Sequence, residues 1–354
     1  MSCEEEPIGR HHVLEGPKLR IKAPTVRRLI EAHYGVYGHA TVELCKWTKD
    51  ALDGRGSCYK VKFYNAPAGG SHRCVEMSPV GMLCDNRCIY CWRPTQEFDS
   101  FVPEELWVME PEEVIRGVLK ERERLLSGYW AHDPERVKEA LAPTHWAISL
   151  SGEPTLYPKL PELVKLIKSL PHTKSVFIVT NGQHPEMLER LIKEDALPTQ
   201  LYLSMNAPNK ELFYEINVPI LNKEDAWERW LKSLELLAAM PTRTVVRITL
   251  IRSMNYDERL IPQFAELLKR GNPHFIEVKS YMHLGYSTRR LSRNDMLTHQ
   301  EVVEWAKRLR DELERAGARY AYMDDDERSR IAVLQNMDRY IDRWIVPPGF
   351  NGSS

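Results

Sequence analysis

Three cysteines, Cys84, Cys88 and Cys91, are spaced C-x3-C-x2-C on one short stretch that runs from Met82 to Arg93. Three thiolates on a tight loop can hold three irons of a cubane iron–sulfur cluster, which leaves the fourth iron open to a small chelating molecule. The competing reading is a zinc site, which wants four ligands and would recruit His72 or another cysteine. Zinc motifs usually come as paired C-x2-C units, and no such pairing occurs here. Cys45, Cys58 and Cys74 precede this stretch, with 12 and 15 residues between them, and only Cys3 is left over. They suggest a second cluster with three protein ligands and another open iron. The bland alternative is that one or two ligate and the rest pack as small apolar side chains. All seven cysteines lie within the first 91 of the 354 residues. A disulfide-stapled secreted protein would spread an even number along its length, so the clustering points to a reducing, cytoplasmic setting and to thiolate ligation.

The elements that must position these groups alternate. Strand patterns at Arg73–Met77, His145–Leu150, Ser175–Thr180, Gln200–Met205, Thr244–Ile251 and Phe275–Tyr281 are separated by helical patterns. The helices are Pro111–Leu126, Pro161–Leu170, His184–Lys193, Lys223–Ala239 and Asp257–Arg270, with a last one over His299–Ala316. About six βα units in a row predict a parallel α/β sheet with right-handed crossovers, either an open doubly wound sheet or an incomplete barrel. In both, functional groups sit at the C-terminal ends of strands. Ser151–Gly152–Glu153–Pro154 follows the second strand, Thr180–Asn181–Gly182 ends the third, and Ser204–Met205–Asn206 ends the fourth. Each alone is a turn signal. Three polar strand ends in succession favour a site.

Composition limits the partners. The 354 residues carry 49 Lys+Arg against 50 Asp+Glu, so a globally basic nucleic-acid binder is excluded and any basic surface must be local. Arg289, Arg290 and Arg293 follow the last predicted barrel strand, with His283 and Tyr286 nearby, and Arg247, Arg252 and Lys279 lie at strand ends. Such groups could contact phosphates, while the bland reading of each arginine is an ion pair. Lys18, Arg20 and Lys22 read as a solvated strand or tail first. Apolar runs are strand-sized and the first twenty residues show no secretory signal, so neither a membrane span nor secretion is expected.

The C-x3-C-x2-C motif with Tyr90 before its last cysteine, at the top of the first strand of a βα series, resembles the radical S-adenosylmethionine (SAM) superfamily. That resemblance implies a partial (β/α)6 barrel, a 4Fe-4S cluster on Cys84, Cys88 and Cys91, and SAM on the open iron. Ser151–Gly152–Glu153–Pro154 is similar to the superfamily's Gly-Gly-Glu segment. Gly152, Glu153, Thr180, Asn181, Ser204 and Asn206 are then the expected SAM contacts. The six cysteines together resemble one family more closely, the SAM-dependent tRNA 4-demethylwyosine synthases of stand-alone archaeal type. Ser71 to Pro79, Cys91–Trp92–Arg93, Ser151 to Pro158 and Gly285 to Leu291 carry that resemblance. It implies a second 4Fe-4S cluster on Cys45, Cys58 and Cys74. It also implies pyruvate as co-substrate, N1-methylguanosine in tRNA as substrate, an external electron donor, and conversion of the base to tricyclic 4-demethylwyosine.

Lys60, two residues after Cys58, matches the family's proposed pyruvate-binding lysine. It could form a Schiff base with the ketone, or only supply charge to a pyruvate chelated by the second cluster, or sit with Lys62 on a solvated strand. The expected organisation is an N-terminal extension over 1–70 bearing second-cluster ligands, the barrel over 71–300, and a C-terminal helical extension over 301–354, in a monomer. Arg289, Arg290 and Arg293 are the expected tRNA contacts. The alternative function is another radical SAM enzyme with an auxiliary cluster, an RNA methylthiotransferase or a peptide maturase. An electron carrier and a zinc-dependent RNA-binding module are the readings from other classes.

Overall fold

Six strands, β1 (Cys74–Ser78), β2 (His145–Ile148), β3 (Ser175–Thr180), β4 (Gln200–Ser204), β5 (Arg243–Leu250) and β6 (Phe275–Ser280), pair in sequence order and all in parallel. The structure, a computed structural model, describes residues 6–64 and 70–346; Cys3 and the end of the tail lie outside them. Parallel neighbours require a crossover, and each is helical, as the alternation predicts. The first, Pro111–Leu126, starts with proline at its N-terminus and Glu112 and Glu113 in its first turn, where the helix dipole favours negative charge. Its buried face, Val114, Ile115 and Val118, packs on the sheet.

The two faces of the sheet have separate cores. Val176 and Ile178 of β3, Leu201 and Leu203 of β4, and Val246 and Ile248 of β5 join the helices in the main core. Their alternating neighbours Phe177, Tyr202 and Val245 point the other way, with Phe275 of β6, into the concave side. That side is closed by a short helix, Tyr59–Tyr64, whose Tyr59 and Phe63 are buried there. The segment around Lys60 is therefore a helix and not a strand. Six residues carry too few repeats to separate period two from period 3.6, and only the pairing of Tyr59 with Phe63 on one face resolves them.

The sheet is longer than the βα count. Ala40–Glu43 lies antiparallel against β1, with Tyr34–Tyr37 beyond it; Ile331–Asn336 lies antiparallel against β6, with Tyr320–Asp326 outermost. The N-terminal extension thus shares the barrel's sheet. The C-terminal extension, expected to be helical, is one helix (His299–Arg315) followed by this hairpin, and it takes in the acidic run Asp324–Asp326 as strand. A separate antiparallel ribbon, with strands His12–Glu15 and Lys18–Ile21, anchors to Asp99: the N–H groups of Arg10 and His11 donate to its carboxylate at 2.8 and 2.7 Å, and His12 Nδ1 lies 2.8 Å from it.

Candidate active site

The Cys84–Cys91 loop is fixed by backbone bonds on both sides. Cys84 N–H donates to Asp99 O (3.1 Å), Arg87 N–H to Val218 O (3.0 Å) and Ile89 N–H to Ile216 O (3.0 Å). Arg290 Nε donates to Ile89 O at 3.0 Å, and its Nη2 donates to Cys91 O. Gly285, at φ +52°, lets the chain pass Trp92 O, which a Cβ there would meet at 2.4 Å. Behind Cys84, buried Asp85 accepts from His184 Nε2 at 2.9 Å. Although burial opposes the charge, hydrogen bonds to Asp85 and Glu186 lift His184 to about 10.

The strand ends converge on this loop. Gly152 has φ +91°, and a Cβ on it would lie 2.4 Å from Leu83 O, one residue before Cys84. Glu153, 2% exposed, faces only donors: Thr155 N–H (3.1 Å), Thr155 Oγ1 (2.6 Å) and Thr180 Oγ1 (2.8 Å) on one oxygen, and Asn181 N–H (2.7 Å) on the other. The Glu153 carboxylate, expected as a ligand contact, also joins the second strand end to the third through these four donors, three of them on Oε1 and one on Oε2. Asn181 Nδ2 donates to Asp85 at 3.2 Å and points at Cys84 Sγ (3.9 Å). Asn206, also buried, donates to Tyr90 OH at 2.7 Å and to Asn217 Oδ1 at 3.2 Å. Ser204 is half-buried on the concave side, and its carbonyl accepts from Trp230 Nε1.

The second trio sits at three element starts. Cys45 precedes helix Lys46–Leu52, Cys58 precedes Tyr59–Tyr64, and Cys74 opens β1. Buried Arg122 Nη2 donates to the carbonyls of His72 (2.7 Å) and Cys74 (3.2 Å). Each cysteine set thus has an arginine on its backbone carbonyls. Lys60 Nζ lies 4.9 Å from the Phe177 ring and 5.1 Å from the Tyr202 ring. Beneath it, Tyr59 OH donates to Glu277 (3.0 Å), and Arg247 donates to both Glu277 and Tyr59 OH at 2.8 Å. Lys279 lies one alternation above Glu277 on β6, where burial first, then Arg247, bring it down to about 8. Arg93, 8% exposed, links the two sets. It stands two residues after Cys91 and pairs with Glu43 at 2.5 Å and Glu76 at 3.6 Å, which stand two residues from Cys45 and Cys74 respectively. A cavity of about 290 Å³ between them is lined by Cys45, Glu43, Lys46, Trp92 and Arg93.

All six described cysteines are free thiols, and burial pushes every one above its ordinary value, with neighbouring thiols adding to it at Cys45, Cys74, Cys84 and Cys88. Soft metal ligation, which takes the thiolate, suits such groups. Among the described residues no three His, Cys, Asp or Glu side chains converge as a single zinc ion would need; cubane thiolates bind one iron each and need not converge.

The basic groups divide. Arg289 is exposed, over the Tyr286 ring at 4.7 Å, and Arg293 is exposed. Arg290, grouped with them as a phosphate contact, is instead turned onto the cluster loop, whose carbonyls would otherwise lack donors. Arg247 and Arg252 are likewise spent, on Glu277 and Glu301. Sequence reasoning missed Asp85, His184 and Arg122, whose partners are 99, 2 and up to 50 residues away. Only Asp85, inside the motif, carried any signal.

The model of the radical SAM superfamily matches residues 78–261, and that of wyosine base formation matches residues 270–336. The SAM-dependent tRNA 4-demethylwyosine synthase of Pyrococcus horikoshii is 42% identical over 310 residues, 86% of this chain and 86% of its own length. That of Methanocaldococcus jannaschii is 41% identical over 322 residues, 88% of this chain and 96% of its own. A solved structure of TYW1 with a lysine–pyruvate adduct bound is 37% identical, with a TM-score of 0.78, and covers 92% of this chain and 99% of that one. With these likenesses spanning both the barrel and its extensions, the chain belongs to the SAM-dependent tRNA 4-demethylwyosine synthase family of radical SAM enzymes.

Proposed function

We propose that the chain converts N1-methylguanosine beside the tRNA anticodon to 4-demethylwyosine, taking two carbons from pyruvate with loss of its carboxyl group. The observation that supports this reading is Lys60, held over the Phe177 and Tyr202 rings beside Cys58 and Cys74, with Arg93 joining the Cys84–Cys91 loop to Glu43 and Glu76. Cys84, Cys88 and Cys91 would hold one 4Fe-4S cluster; Cys45, Cys58 and Cys74 would hold a second. When bound, the first cluster and SAM supply a carbon-centred radical that abstracts hydrogen. The chain's own residues prepare its place: Gly152 brings the backbone edge against Leu83, Glu153 locks the strand ends, and Asn181 and Asn206 present amides beside the loop. Phe177 and Tyr202 orient Lys60, whose free amine would add to the pyruvate ketone and lose water as the imine forms. Trp92, 44% exposed at the cavity between the trios, would stack on the incoming base. Arg289 and Arg293 would hold tRNA phosphates. Electrons would come from an external donor, and the chain would act as a cytoplasmic monomer; no helix of the described residues is long and apolar enough to cross a membrane.

The test is an anaerobic assay with protein reconstituted in iron and sulfide, reductant, SAM, pyruvate and N1-methylguanosine tRNA, read by mass analysis of the digested tRNA. Pyruvate-dependent formation of the tricyclic base is the expected result. Formation of 5′-deoxyadenosine with an unchanged base would overturn the substrate assignment. Neither product from iron-loaded protein would overturn the catalytic one.

A further inference from the structure

Among the described residues, two ammonium groups on the concave side form no ion pair with a carboxylate. Lys60 meets only the rings of Phe177 and Tyr202, and Lys279 forms no hydrogen bond or ion pair among the described residues. A further basic side chain of that layer, Arg247, is matched by Glu277 at 2.8 Å. Glu277 is in turn bonded to Tyr59, the residue between Cys58 and Lys60, so the two lysines belong to one neighbourhood. Lys279 is paired in register with Thr249 and stands two residues beyond Glu277 toward the C-terminal end of β6, the end at which the strand-end groups gather. Lys279 is half-buried in a charged neighbourhood, with Arg247 and Lys60 acting against its charge and Glu277 and Cys58 toward it but none of them bonded to it, so an arriving carboxylate meets a cation that no hydrogen bond already holds.

We propose that Lys279 is the carboxylate anchor of the site: it pairs with the carboxylate of a 2-oxo acid while the ketone carbon of the same molecule meets Lys60. This rests on the reading of Lys60 given above. One lysine alone accepts any reactive carbonyl; two at the two ends of the molecule select a carbonyl that carries an acid. Lys279 is thus a substrate-positioning group, and the selectivity it confers is separable from the bond made at Lys60.

The test is reductive trapping on the reconstituted holoenzyme. Cyanoborohydride delivers hydride to the imine carbon and fixes it as a secondary amine, which peptide mass mapping locates. Wild type, Lys279→Met, Lys279→Arg and Lys60→Arg are each titrated with pyruvate and with butan-2-one, a ketone of similar size without a carboxylate. For Lys279→Met the pyruvate concentration at half-trapping should rise about tenfold or more, the loss expected for one charge-assisted pair. Trapping of butan-2-one should be unchanged, and Lys279→Arg should recover most of the pyruvate response. Equal losses for both carbonyls, or none for either, would overturn the proposal. So would an adduct on Lys279 itself. If Lys60→Arg still traps pyruvate at wild-type level on another residue, the reading of Lys60 fails, and that outcome is distinct from a failure at Lys279.

Discussion

His39 should make the stability of this protein fall in mild acid by a calculable amount. It lies in the turn between the two N-terminal strands of the sheet, fully buried, with Nδ1 donating to Pro79 O (2.6 Å) and Nε2 accepting from Met109 N–H (2.7 Å). Both ring nitrogens are therefore used by the neutral tautomer, and a second proton would have to displace Met109 N–H. Burial pushes its pKa down to about 4, against about 6.5 in an unfolded chain. Between those values the unfolded chain binds a proton that the native chain does not, so stability drops as pH falls from 6.5 toward 4. From pH 7 to pH 5 the loss is about 2 kcal/mol, and about 3.4 kcal/mol when the window is complete, at 1.36 kcal/mol per unit. His39→Gln supplies an amide nitrogen for Pro79 and an amide oxygen for Met109 and cannot titrate. Urea unfolding of the two proteins side by side, under reducing conditions at pH 7 and pH 5, cancels the groups they share. Wild type should lose about 2 kcal/mol more than the variant. Parallel losses would refute the assignment of a neutral, doubly bonded His39.

Arg290→Ala should destabilise by about 2–4 kcal/mol and reduce iron retention at the first cluster, because two loop carbonyls lose a charged donor; Arg289→Ala should leave the melting temperature alone and lower the salt slope of tRNA binding by about 0.7–0.9, the share of one phosphate. If both behave alike, the division of these arginines is wrong. Gly152→Ala adds a Cβ at 2.4 Å from Leu83 O and 2.9 Å from Val80 O, both backbone, at a φ of +91°. SAM affinity by equilibrium dialysis should collapse, and a wild-type constant would show that the strand end adapts. Glu153→Gln sets an amide N–H against Asn181 N–H, for a cost of about 2 kcal/mol measured by denaturant midpoint. An unchanged midpoint would mean that the carboxylate is not the shared acceptor of these loops.

Local order was legible along the chain because it rests on short-range periodicity. Ser175–Thr180 and Pro111–Leu126 run over the residues that their patterns predict, and the other barrel strands differ at their ends by one or two residues. The edge hairpins at Tyr34–Glu43 and Tyr320–Asn336 were not legible: four- to seven-residue strands with mixed burial give little alternation. Tyr59–Tyr64, where alternation of Lys60 and Lys62 reads as a strand, is a helix whose Tyr59 and Phe63 pack together on the concave side.

The cysteine spacing by itself determined what chemistry the chain is equipped for, since ligand type and tight loop length are local properties and all seven cysteines lie within 91 residues. It also determined the parallel α/β architecture, through the βα repeat. Only the tertiary structure decided which charged groups are free to act. Arg290 and Glu153 resemble ligand contacts in sequence, yet folding brings loop carbonyls beside the first, and backbone and threonine donors beside the second. Lys279 resembles an ordinary strand residue, yet among the described residues no acid is hydrogen-bonded to it on the concave side. Whether a buried charge is already paired depends on residues tens of positions away, and no local pattern encodes that pairing.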